Sequence, residues 1–188
     1  MSDSDRNGMT LAHQASQAVY AIQKAVEAAE GDCTVIEFND SSHLVSQTGS
    51  RPSPTKQHTL NPRGGTDPTQ AIKDTYVRLR SVEAYHKVVV VVSDGEWHRG
   101  GDVMADLSDT GVITMSVQLD PMMNTRRHDN DRDNDDWLAS RKERREWLST
   151  QMGCEYNIVV EDCRDMVPLF EEVVVSEMEK AMNEGEVR

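Results

Sequence analysis

Apolar positions near the start of the chain recur with helical spacing. Leu11, Ala15, Ala18, Val19, Ile22, Val26 and Ala29 fall three and four apart, on one face of a helix predicted over 10–29. Gly31 is the expected stop. Residues 33–38, Cys-Thr-Val-Ile-Glu-Phe, read as a strand. The stretch 39–63 is polar and rich in Ser, Thr, Asn and Pro, a loop enclosing a short edge strand near 43–47. A second helix opens at Gly64-Gly65-Thr66-Asp67-Pro68-Thr69-Gln70. Asp67 suits the N-cap, Pro68 the first helical position, and Gln70 the reciprocal capping-box position. That helix should run to about 83 through Ala71, Ile72, Thr75, Tyr76 and Leu79.

Val88 to Val92 is an unbroken β-branched run, the pattern of a strand covered on both faces in a parallel sheet. Ser93-Asp94-Gly95 ends it in a turn. A short helix over 102–109 and strands at 112–119 and 156–160 follow. The chain closes with an amphipathic helix over 165–183, carrying Val167, Phe170, Val174, Met178 and Ala181. Helix and strand alternate, so crossovers should be right-handed and the sheet doubly covered. The predicted fold is a three-layer, doubly wound α/β domain over 1–188, with parallel strands at 33–38, 87–93, 112–119 and 156–160.

The segment 121–150 breaks this pattern and reads as a polar insertion between the last two strands. It holds Arg126-Arg127-His128, an Asp/Asn-rich run over 129–136, and a charged helix from about 136 to 150 with Trp137 and Trp147. Arg141, Lys142, Arg144 and Arg145 alternate there with Glu143 and Glu146, as on an exposed, salt-bridged helix face or a docking surface. The two tryptophans suit either a partner contact or the core. The run starting at Asp129 has the look of a calcium loop. It carries Asn134 where that loop needs Gly and Ser140 where it needs a bidentate Glu, so it reads as solvated.

Charge narrows the function. Twenty Lys and Arg against 33 Asp and Glu give a net charge of −13. Such a surface repels nucleic-acid phosphate and anionic lipid, so neither nucleic acid nor membrane is an expected partner. No run approaches the ~18 apolar residues of a membrane span, and no secretory signal is visible at the amino terminus. Cys33, Cys154 and Cys163 are few, odd in number and without metal-ligand spacing, which fits a reducing compartment and a cytoplasmic location.

In an open parallel sheet, ligands bind beyond the carboxyl ends of the strands. Three segments should converge there: 1–9, Gly64 to Asp67, and Ser93 to Gly95. Their hydroxyls and carboxylates suit a hard cation such as Mg²⁺, with Mn²⁺ or Ca²⁺ as substitutes. Neither a dinucleotide fingerprint nor a phosphate-loop pattern occurs, and no nucleophile sits in a recognisable catalytic motif.

Gly64-Gly65-Thr66-Asp67 and Val88 to Gly95 together resemble the second and third metal-site motifs of the von Willebrand A domains. Their order and surrounding helices agree with that family over nearly the whole chain. Its first motif, D-x-S-x-S, places its serines on Ser2 and Ser4, with its aspartate position falling before Met1. A second register uses Asp3, Asp5 and Asn7. The resemblance implies that Ser2, Ser4 and Thr66 bind a metal directly, that Asp94 binds it directly or through water, and that a partner's Asp or Glu completes the shell. It implies a non-enzymatic, metal-dependent protein-interaction module. Met9-Thr10-Leu11-Ala12 points toward the intracellular branch that works with ring ATPases, metal chelatases included.

The family's central strand precedes its first motif and has no counterpart in this sequence. The expectation is therefore that the sheet lacks a middle strand between 33–38 and 87–93, or that another chain or a further segment supplies it, and that metal binding is weak or absent. The competing readings are an enzyme on a Rossmann-like sheet and a metal-free structural domain.

Overall fold

A computed structural model describes residues 10–28, 30–47, 66–84, 86–93, 99–119 and 150–160, with single helical positions at 139, 143, 147, 168 and 172. The described elements run α1 (Leu11–Ala28), β1 (Val35–Phe38), β2 (Ser42–Ser46), α2 (Thr69–Arg80), β3 (Val88–Ser93), α3 (Gly101–Ser108), β4 (Ile113–Leu119) and β5 (Tyr156–Val160). Each element predicted from the pattern within these stretches is present, with its ends shifted by a few residues at most.

The stop of α1 is built differently from its prediction. Glu30, not Gly31, takes the left-handed conformation (φ 58°). The Gly31 amide then donates to the Val26 carbonyl at 2.8 Å, closing the last turn as a Schellman-type cap does.

β3, β4 and β5 form a parallel sheet in that order. Val88 pairs with Ile113 and Ser93 with Gln118, while Met115 pairs with Tyr156 and Leu119 with Val160. Two apolar layers cover it. On one face, Ala15, Ala18 and Ile22 of α1 pack against Met115, Val117, Leu119 and Val160, with Val88, Val90 and Val92 at the margin. The alanines let the helix approach the sheet closely. On the other face, Ile72 of α2 and Met104 and Leu107 of α3 pack with Val89, Val91, Val112 and Met152. This is a three-layer, Rossmann-like α/β fold.

The sheet qualifies one expectation and corrects another. β3 is covered by an apolar layer on both faces, but less completely than β4, which is buried from Thr114 through Leu119. In β3 only Val89, Val91 and Ser93 are buried, and Val88, Val90 and Val92 are half-buried. The cause is position: β4 lies between two strands, whereas β3 is an edge of its described ladder. Second, the strand predicted at 33–38 is not part of the parallel ladder. β1 pairs antiparallel with β2, Phe38 opposite Ser42 and Ile36 opposite Leu44. Among the described residues no ladder joins β1 to β3. Phe38 nonetheless packs into the apolar layer that holds Ile72, Val89 and Val91.

The predicted capping box is absent too. Gln70 reaches forward, its amide donating to Asp74 Oδ1 at 2.8 Å. Asp67 caps alone, its Oδ1 accepting the Thr69 amide at 3.0 Å. Helix begins at Thr69, one residue after Pro68.

Of the insertion, positions 139, 143, 147 and 150 are described, and all are helical and exposed. Trp147 is 56 % exposed, so it does not serve the core. Trp137 and the acidic run over 129–136 lie outside the described residues. In the closing helix predicted over 165–183, Pro168 and Glu172 are helical and exposed, and its apolar positions lie outside the described residues.

Candidate functional site

Parallel strands deliver the connections that follow them to one edge of the sheet. The β3–α3 connection leaves that edge after Ser93, which is buried and pairs with Gln118. Gln118 is buried as well, its amide donating to Met152 Sδ at 3.6 Å. The last turn of sheet below the edge is therefore polar but closed to solvent.

The start of α2 reaches the same edge. Gly100 precedes α3 with φ 93°, and a Cβ there would meet Ile72, Pro68 and Thr69 at 3.1 to 3.4 Å. Only a glycine lets the α3 entry lie this close to the first turn of α2. Arg99, one residue earlier, places a guanidinium nitrogen 3.7 Å from Asp67 Oδ2. On its other side, the Asp67 amide donates to the Asn39 carbonyl at 3.0 Å. Asn39 follows β1, and its Oδ1 accepts from the Ser41 amide at 2.9 Å and the Ser41 hydroxyl at 3.0 Å. Three connections thus meet at residues 66–69: the turn after β1, the start of α2 and the entry to α3.

Asp67 is electrostatically committed within this meeting point. Its hydrogen bonds from Thr69, and behind them the Arg99 charge, hold its carboxyl below the usual carboxylate range. Asp74, about two helical turns on, is lowered in the same way by Ser42 and Gln70. The first pair binds α2 to the α3 entry, and the second binds it to β2.

Thr66 is exposed at this edge. Asp67 is engaged as a cap and ion-pair partner and is partly exposed, whereas Thr66 is exposed. Asp94 follows Ser93 in sequence but lies outside the described residues, as do Ser2 and Ser4. The expected approach of Thr66 to Asp94 therefore lies outside the described residues. Among the described residues no three His, Cys, Asp or Glu side chains gather where they could hold a metal.

Sequence reasoning missed Asn39 and Arg99. Neither belongs to a motif, and each acts through a contact distant in sequence. Gly100-Gly101 ahead of a predicted helix was the visible signal that something packs tightly there.

No family model and no curated protein matches this chain. Solved structures do. An aerotolerance-related membrane protein from Bacteroides fragilis, carrying multiple mutations to serine, superposes with a TM-score of 0.60 at 16% identity, over 85% of this chain and 86% of that one. A conserved hypothetical protein, BatB, from Bacteroides thetaiotaomicron superposes with a TM-score of 0.60 at 14% identity, over 91% of this chain and 89% of that one. The fold is of the von Willebrand A type. At such identities the likeness establishes the architecture and nothing about residue roles. The meeting point of 66–69 and 99–100 lies toward the carboxyl edge of the parallel sheet, where open α/β sheets in general offer a crevice. Among the described residues no helix is long and apolar enough to cross a membrane.

Proposed function

We propose that this chain is a protein-interaction module that captures a partner's Asp or Glu through a divalent cation at the carboxyl edge of its sheet, and that it is not an enzyme. The observation that carries the reading is the junction of the α2 start with the β3–α3 connection, through Arg99 and Asp67 and the seat of Gly100 on Pro68 and Thr69. That junction joins the start of α2, next to Thr66, to the α3 end of the connection on whose sequence Asp94 lies.

The donor chemistry fits a hard ion. Thr66 offers an exposed hydroxyl, and the Asp67 carboxylate is turned to Thr69 and Arg99. A cation held mainly by hydroxyls and a single carboxylate keeps unspent positive charge and open coordination positions. An incoming carboxylate satisfies both. In this reading Thr66 and Asp94 would hold the ion, with Ser2 and Ser4 supplying further hydroxyls. Mg²⁺ is the first choice, with Mn²⁺ or Ca²⁺ as substitutes.

A ring ATPase, of the kind that serves metal chelatases, is the partner class we favour. A cytoplasmic setting is consistent with Cys33 and Cys154 both being free thiols. The test is affinity capture with and without Mg²⁺, read by mass spectrometry. The reading requires partners retained only with Mg²⁺ and lost in Asp94→Ala. Capture indifferent to both Mg²⁺ and Asp94 would leave a metal-free structural domain as the better account.

A further inference from the structure

We draw no further inference here: the strongest candidate, the edge of β3 that turns away from β4 and has no ladder partner among the described residues, carries nothing because nothing in the structure shows what covers it.

Discussion

The backbones of Gly101 and Gly153 lie directly against each other, so that a Cβ on Gly153 would overlap the Gly101 carbonyl oxygen. Gly153 also has φ 63°, a conformation that L side chains rarely adopt. This contact locks the first turn of α3, and with it the seat of Gly100, to the segment leading into β5. Gly153→Ala should therefore cost more than the ~1–2 kcal/mol of left-handed strain alone, because backbone cannot step aside as a flexible side chain can. Chemical denaturation should show a loss of roughly 2–4 kcal/mol, the scale of an overpacked core site with added backbone strain. A loss within about 0.5 kcal/mol would mean the two backbones are not in contact.

The open side of β3 makes a prediction for hydrogen exchange. The Ile113 amide donates to the Lys87 carbonyl at 2.9 Å, and the parallel register then turns Val89 and Val91 toward β4. The amides of Val88, Val90 and Val92 point the other way. They should exchange faster than those of Val89 and Val91, in strict alternation. Equal protection along the strand would show that another strand has laddered onto it.

Much of the fold was legible because helix and strand periods differ and because Gly, Pro and Asp mark the ends. What was not legible came from long-range packing. Five valines predict a strand covered on both faces, but they cannot say whether it is an edge. β4, with Thr114, Ser116 and Gln118 on one face, looks half-exposed in sequence and is the most buried strand. Its polar residues are accommodated by specific partners: Glu155 donates its amide to Thr114 Oγ1 at 3.0 Å, and Ser116 bonds Asn157 at 2.8 Å. At the candidate site, the Thr66 segment was recognisable from its glycines and cap. The Asn39 and Arg99 contacts that anchor it were not, because a lone Asn or Arg in a connection carries no pattern.

Acid should weaken the junction at α2. The Asp67 and Asp74 carboxyls lie below their ordinary values in the folded protein. Their contribution is thus fully present above the unfolded carboxylate value of ~3.9 and is lost as pH falls through the lower folded values. Both groups are solvent-accessible, so the effect is small. Urea midpoints should fall between pH 5 and pH 3, and the Asp67→Asn, Asp74→Asn double variant should fall less steeply. An unchanged slope in the double variant would contradict the assignment.

Burial pushes the Cys154 thiol up to about 12 and raises Cys33 as well. Thiolate, not thiol, is the nucleophile, so at pH 8 both should react slowly with an alkylating reagent in the native chain and rapidly in urea. For stability the sign is the reverse of the aspartates: the contribution is complete below the unfolded thiol value and fades as pH rises toward the folded one. Rapid native labelling of Cys154 would show that the layer around Met152 opens readily.

The central claim is a cation held by the Thr66 and Asp94 segments together. Calorimetric titration of Mg²⁺ and Mn²⁺ into the chain, beside Thr66→Ala and Asp94→Ala, tests it most directly. The account predicts weak, saturable binding that either substitution abolishes, with the thermal stability of both variants unchanged in the absence of metal. Tight binding that survives both substitutions would contradict it, and so would no binding to the unmodified chain at any concentration.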